Sequence, residues 1–177
     1  MSRFKEYYKE VVRPLLFLQY NILKSSAVPE VTFVRVGFSF TNLSGEEDWR
    51  LLKSFKLLST ITGKRPSVGD VFWSASGGRE RRLVGSCFVT LRADEAYNFL
   101  EYLVHVVLPL NSRRYGLLDA AVSNTGVCNF VLKDLGVFFR QTEDLVGFHA
   151  KAEISIGTST NNREECASLL RGLGLSV

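Results

Sequence analysis

Residues 31–40 have the sequence VTFVRVGFSF, and the alternation within them predicts a strand with one buried and one solvated face. Arg35, Gly37 and Ser39 occupy one face of such a strand. Apolar side chains occupy the other face, namely those of Val34, Val36, Phe38 and Phe40. A sheet built around this strand therefore packs a core on one side and keeps a polar surface on the other.

Residues 86–92, SCFVTLR, repeat the pattern. Three residues of this strand point inward, namely Cys87, Val89 and Leu91, and four point outward, namely Ser86, Phe88, Thr90 and Arg92. Alternation and β-branched residues predict further strands over residues 66–72, 128–132, 137–140 and 151–158. The chain thus contains enough extended segments for a sheet of several strands.

Two helices are predicted in the first third of the chain. The first covers residues 7–24, with Pro14 starting or kinking its second part, and its apolar face comprises Val11, Val12, Leu15, Leu16 and Ile22. The second begins at a capping box of Ser44 and Glu47 and ends at Gly63. Its apolar face comprises Trp49, Leu51, Leu52, Phe55, Leu58 and Ile61.

Two more helices follow the second strand. In the third, Asp94 is the predicted cap, Pro109 the predicted end, and the apolar face comprises Tyr97, Leu100, Val104 and Val107. The last helix begins at Asn162 with Glu165 and ends at Gly172 or Gly174. Its inward residues are Cys166, Leu169, Leu170 and Leu173.

These elements predict an α+β fold, a two-layer sandwich forming a single domain over residues 1–177. We expect an antiparallel sheet with helices packed on one face and an open face opposite. Residues 1–27 form the N-terminal helix region, and residues 72–82 form a protruding basic, glycine-rich loop.

The composition excludes several classes of protein. Three well-separated cysteines without a C-x-x-C pair argue against a disulfide framework or a zinc site. The longest apolar run is too short to span a bilayer, so we expect no membrane partner. Lys and Arg number 22 against 18 Asp and Glu, and 14 of the basic residues are Arg, which grips phosphate bidentately and stacks on bases. This balance favours RNA as a partner.

A search for catalytic chemistry finds no constellation. Neither His105 nor His149 lies near a nucleophile motif. The Gly63-Lys64 pair lacks the first glycine and the Ser/Thr of a phosphate-binding loop. We therefore expect no catalytic residue, no metal and no cofactor, and the protein is predicted not to be an enzyme.

Two groups of residues are candidates for RNA contact. The first is the loop, where an aromatic residue, small residues and three arginines suit a phosphate backbone and a stacked base: Trp73, Ser74, Gly77, Gly78, Arg79, Arg81 and Arg82. The second is the open sheet face, where Arg35, Thr90 and Arg92 offer donors and Phe88 a stacking platform. The alternative interpretations are an ordinary hairpin tip and an ordinary solvent-facing strand surface.

An ordered set of motifs resembles one family, the fifth protein of the large ribosomal subunit, which binds 5S rRNA. The matching segments are KEYYKEVV (5–12), VPEV (28–31), ITGKRP (61–66), CFVTLR (87–92), LP (108–109), YGL (115–117) and REECASLLRGLG (163–174). The resemblance implies a non-catalytic protein of the central protuberance that contacts large-subunit rRNA and 5S rRNA with its sheet face. It also implies contact with P-site tRNA through the loop, with a small-subunit head protein across an intersubunit bridge, and with other central-protuberance proteins.

Individual positions follow or depart from the family pattern. Thr90 keeps the family's Thr, whereas Gly37 stands in place of an Asn, Lys64 in place of a Gln and Phe88 in place of a usual Lys. In the loop, Ser74 and Gly77 match the family's Ser and Gly, Arg79 and Arg81 match basic positions, and Phe72 and Trp73 replace basic residues.

This loss of polar and basic partners predicts fewer phosphate contacts and weaker salt dependence than in a bacterial homologue. Together with 13 phenylalanines, it indicates a mitochondrial ribosome, with chloroplast or bacterial ribosomes as alternatives. Two other functions stay open at this point: a free RNA-binding regulator, and a small enzyme or ligand-binding domain on the same frame.

Overall fold

The computed structural model describes residues 2–22, 24–41, 48–69, 72–76, 80–111, 121–132 and 151–175. Within these residues, seven strands form one antiparallel sheet in the order β2-β4-β1-β7-β6-β5, and β3 pairs with β4 beside this path. The strands are β1 (Val31–Thr41), β2 (Ser67–Val68), β3 (Phe72–Ser76), β4 (Glu80–Arg92), β5 (Ala121–Val122), β6 (Val127–Leu132) and β7 (Ala152–Thr158). The predicted α+β class with an open antiparallel sheet is confirmed.

The helices of the described residues are α1 (Arg3–Tyr7), α2 (Arg13–Gln19), α3 (Asp48–Thr62), α4 (Ala93–Tyr102), α5 (Leu108–Asn111) and α6 (Arg163–Gly172). Two π-helical segments join neighbouring helices, one at Tyr8–Val12 between α1 and α2 and one at Leu103–Val107 between α4 and α5. Strands β6 and β7 confirm two predicted strands, whereas the one predicted at 137–140 lies outside the described residues.

The chain divides into two compact units. The first comprises Met1–Val34, Leu91–Val131 and Ser155–Val177, and the second comprises Arg35–Thr90 and Leu132–Ile154. The single domain over residues 1–177 stays a prediction.

In the second unit, the alternation predicted for the two strands is confirmed. Val36 and Phe38 of β1 are buried, as are Cys87 and Val89 of β4. Helix α3 packs on this buried face, where the Cys87 Sγ donates a hydrogen bond to the buried Ser54 Oγ at 3.2 Å. One face of these strands is therefore committed to the core.

The buried face of α3 differs from the predicted one. Leu57 and Leu58 are buried, but Leu52 is 69% exposed, because it lies about 120° around the helix from Leu58 at 3.6 residues per turn. The predicted end is confirmed, since Gly63 follows the helix with a φ of +66° and donates its N–H to the Ser59 carbonyl. The predicted cap at Ser44 and Glu47 lies outside the described residues.

The N-terminal helical segment begins and ends earlier than predicted, at Arg3 and Gln19. It buries Phe4, Tyr8, Val12 and Leu16, whereas the predicted core residues Val11 and Leu15 are exposed. A row spaced by four drifts around an ordinary α-helix, and the wider turn of the π segment offsets that drift. Periodicity based on 3.6 residues per turn therefore selects the wrong face.

The third predicted helix needs two corrections. Helix α4 begins at Ala93, which places Asp94 inside the first turn, where its carboxylate accepts a 2.5 Å hydrogen bond from Lys5 instead of capping the helix. The helix also continues past Pro109 to Asn111. The π segment just before the proline widens the turn behind its ring, which removes the usual reason for a helix to stop there.

The last helix follows its sequence signals. The Asn162 side chain accepts a hydrogen bond from the Glu164 N–H at 3.0 Å, and the predicted inward residues are buried: Cys166, Leu169, Leu170 and Leu173. After α6, Gly174 has a φ of +88°, and the Leu175 N–H returns to the Leu170 carbonyl. This pattern is a Schellman motif, which fixes the position of the C-terminal segment.

Replacing Gly126 by Ala is expected to destabilise the protein by at least about 2 kcal/mol. Gly126 has a φ of +72°, and a Cβ there would lie 1.7 Å from the Thr160 carbonyl oxygen. Gly63→Ala is the matched control, because its φ is +66° but no atom lies within 4 Å of the added Cβ. The control should lose only about 1 kcal/mol in urea denaturation. Equal losses for the two variants would show that the overlap at Gly126 is relieved.

Tyr8→Phe is expected to change how stability depends on alkaline pH. The Tyr8 hydroxyl donates to the Pro29 carbonyl at 2.7 Å, and burial, assisted by Glu30, raises the pKa of Tyr8 to about 12. A raised folded-state pKa stabilises the protein below about pH 10, and this contribution is lost as the pH rises towards 12. Urea denaturation should therefore show a shallower decline between pH 10 and 12 for the variant, with a loss of about 1 kcal/mol at pH 8. Parallel curves would contradict the role of Tyr8.

Candidate nucleic-acid interface

The second unit presents a polar face on the side of β1 and β4 that α3 does not cover. Arg35 is exposed, and Gly37, Phe88 and Thr90 are half-buried. Their neighbours along each strand point into the core, so the pleat forces these residues to the opposite side. Four of the six residues predicted for the sheet face are therefore brought together here.

The contact that organises this face joins Arg35 and Phe88. The Cζ atom of Arg35 lies over the Phe88 ring, 3.8 Å from its centroid. A guanidinium at this distance is attracted by the negative face of the ring. Phe88 is thus not the bare platform that the sequence suggests, because the Arg35 guanidinium occupies one side of its ring.

Two glycines make room for this pair. A Cβ on Gly37 would lie 3.3 Å from the Phe88 Cβ, and a Cβ on Gly69 would lie 3.5 Å from the Phe88 Cε1. Gly69 is held beside β4 by its N–H, which donates to the Ser86 carbonyl at 2.7 Å. Sequence reasoning missed Gly69, and its only signal was a glycine after a short strand, whose neighbour is unknown without the strand register.

Lys64 lies close in sequence to the same edge of the sheet. Ser67 pairs with Phe88 in the register of β2 and β4, and both Lys64 and Arg65, just before β2, are exposed. Arg92 is also exposed, but it belongs to the first unit and is described separately from this face.

The predicted loop is mostly a hairpin. Ser74 pairs with Arg82, Ala75 with Arg81 and Ser76 with Glu80, and Trp73 also lies on the paired strand β3. The expectation of a loop across 72–82 is therefore wrong for both flanks, because backbone hydrogen bonding extends over small residues of low strand propensity. Gly77, Gly78 and Arg79 lie outside the described residues.

Residues with catalytic potential are in unreactive settings. Cys87, Cys128 and Cys166 are free and buried, and burial raises the pKa of the Cys128 thiol to about 12. His105 is exposed on a π segment, edge-on to Phe4 at 5.9 Å, and His149 lies outside the described residues.

Within the parts of the chain that the structure describes, no three His, Cys, Asp or Glu residues are placed to hold a metal. The same parts contain no helix with the length and apolarity needed to cross a membrane.

A cavity of about 570 Å³ in the first unit borders His105. Its wall includes Phe4, Tyr7 and Leu173, and the Arg3 guanidinium at its rim is bonded to the Glu101 carboxylate. This arrangement gives His105 an aromatic and aliphatic neighbourhood and no adjacent nucleophile.

Comparison with known proteins identifies the family. The model of the C-terminus of the ribosomal uL5 family matches residues 85–177. The chain is 32% identical to the chloroplast "Large ribosomal subunit protein uL5c" of Emiliania huxleyi, over 98% of this chain and 95% of that protein. It is also 32% identical to uL5c of Zygnema circumcarinatum, over 98% and 95% of the two chains.

A bacterial relative gives the same result. "Large ribosomal subunit protein uL5" of Streptococcus pneumoniae is 31% identical, over 98% of this chain and 97% of that protein. The resemblance seen in the sequence motifs is confirmed, and the enzyme and free-regulator alternatives are set aside. The chain belongs to the ribosomal uL5 family and is a structural, non-enzymatic constituent of the large ribosomal subunit.

Proposed function

We propose that this protein binds large-subunit rRNA, including 5S rRNA, with the open face of β1 and β4. The observation that supports this role most strongly is the exposed Arg35 held over Phe88, on a face whose opposite side is buried. The Arg35 guanidinium offers hydrogen-bond donors to phosphate, and the Thr90 hydroxyl offers a donor and an acceptor to a ribose. Gly37 leaves backbone accessible between them.

Few formal charges serve this face. Arg35 contributes one positive charge, Lys64 lies just before the adjacent strand β2, and Phe88 and Gly37 contribute none. Each phosphate that a cation neutralises steepens the salt dependence of binding by about one unit of slope. We therefore expect rRNA binding with a shallow salt dependence. Arg92, exposed in the first unit, adds a separate phosphate contact in this proposal.

The hairpin of β3 and β4 is proposed to contact P-site tRNA in the central protuberance. Its residues for this role are Trp73, Ser74, Gly77, Gly78, Arg79, Arg81 and Arg82. Backbone pairing of Ser74 with Arg82 and of Ala75 with Arg81 supports the role, because it places two of the arginines on a regular two-stranded ribbon. We also propose a small-subunit head protein and other central-protuberance proteins as partners.

A mitochondrial ribosome is the proposed location. The support is the replacement of polar and basic residues on the sheet face by Gly37 and Phe88, together with the 13 phenylalanines of the chain. A chloroplast ribosome is the alternative, favoured by the uL5c relatives. Detection of the protein in purified mitochondria or in chloroplasts of its source distinguishes the two.

Thr90→Val is expected to weaken binding to 5S and large-subunit rRNA about fivefold. Valine keeps the β-branched shape that suits the strand but removes the hydroxyl, whose hydrogen bond contributes about 1 kcal/mol. Filter binding with the purified chain measures the effect, and Thr90→Ser, which keeps the hydroxyl, should bind like the wild type. Equal affinities for wild type and Thr90→Val would remove Thr90 from the interface.

Replacing Arg79, Arg81 and Arg82 together by Ala should reduce tRNA retention by ribosomes carrying the variant, and lower the slope of log affinity against log salt by up to about 3. Stability should change by less than about 0.5 kcal/mol, because Arg81 and Arg82 pair through their backbones. The matched control removes three exposed cations elsewhere, namely Lys24, Lys151 and Arg163. Identical tRNA retention in the two triple variants would contradict a specific role of the hairpin.

A further inference from the structure

We infer that Arg35 and Phe88 form a stacking site for one unpaired nucleobase, which lies on the outer surface of the Arg35 guanidinium. This inference rests on the proposed binding of rRNA by the same face and specifies the chemistry of one contact. The ligand class is a base from a bulge, loop or single strand, because a base inside a duplex has no free flat surface.

The Phe88 ring forms the lower layer of this site. Its Cβ lies next to Gly37 and its Cε1 next to Gly69, and neither glycine has a side chain that could displace the ring. The register also fixes its position, since Phe88 pairs with Ser67 of β2. Phe88 is therefore held from both neighbouring strands.

The Arg35 guanidinium forms the second layer. Its Cζ lies 3.8 Å from the ring centroid, which is contact distance between stacked groups. Among the described residues, no carboxylate forms an ion pair with Arg35, and the residue is exposed. One surface of the guanidinium rests on Phe88, and the other faces solvent.

A guanidinium held in this way is suited to a base more than to a phosphate alone. Its flat outer surface matches the flat surface of a base, while its N–H groups point sideways towards the phosphate or the base edge. The long side chain is already ordered by the ring, so less conformational entropy is lost when a base stacks on it. Gly37 lies two positions along the same face and leaves the approach open.

The test uses the full-length chain and two RNA hairpins that differ only in one bulged 2-aminopurine. Wild type should bind the bulged hairpin more tightly and quench its fluorescence as the base stacks. Arg35→Lys keeps the charge but loses the flat surface, and Phe88→Leu keeps an apolar side chain but loses the ring. Each should reduce binding of the bulged hairpin roughly tenfold and abolish the quenching, with the salt slope unchanged.

Two control variants separate stacking from general damage. Phe88→Tyr keeps the ring and should behave as wild type, and Phe17→Leu removes an exposed aromatic residue from the other unit and should have no effect. If Arg35→Lys and Phe88→Leu bind and quench like wild type while rRNA binding persists, the stacking site is refuted and the proposed function stands. If wild type binds neither hairpin nor its own rRNA, the proposed function itself fails.

Discussion

Strict alternation of side chains in β1 and β4 is the constraint on which the candidate interface depends. In the second unit it buries Val36, Phe38, Cys87 and Val89 beneath α3 and leaves Arg35 and Phe88 on the other face. A shift of the pairing by one residue would exchange the two faces, and it would place an arginine in the core. The polar surface is thus a direct consequence of core formation.

The interface relies on contact geometry more than on charge. Phe88 and Gly37 contribute no charge, yet the glycines beside the ring allow Arg35 to lie flat over it. A protein that fills one place in a ribosome needs shape-specific contacts more than long-range attraction. Buried thiols and an isolated His105 agree with the structural, non-enzymatic role of the family.

Local signals predicted much of the fold. The alternation in β1 and β4, the cap at Asn162 and the glycines at 63 and 174 each depend on a few neighbouring residues, and each was found where the sequence placed it. The π segments and the Lys5–Asp94 contact could not be predicted, because they depend on packing between distant residues. The Arg35–Phe88 contact was missed for the same reason, although the sequence did place both residues on one polar face.

Ultraviolet crosslinking within sedimented ribosomal particles, followed by sequencing of the attached RNA and mapping of the attached peptide, tests the central claim most directly. The account predicts crosslinks from the outward residues of β1 and β4, especially Phe88, to large-subunit rRNA, with 5S rRNA among the attached sequences. Particles in which these strands carry no RNA, while other parts of the chain do, would contradict the assignment of this face as the RNA interface.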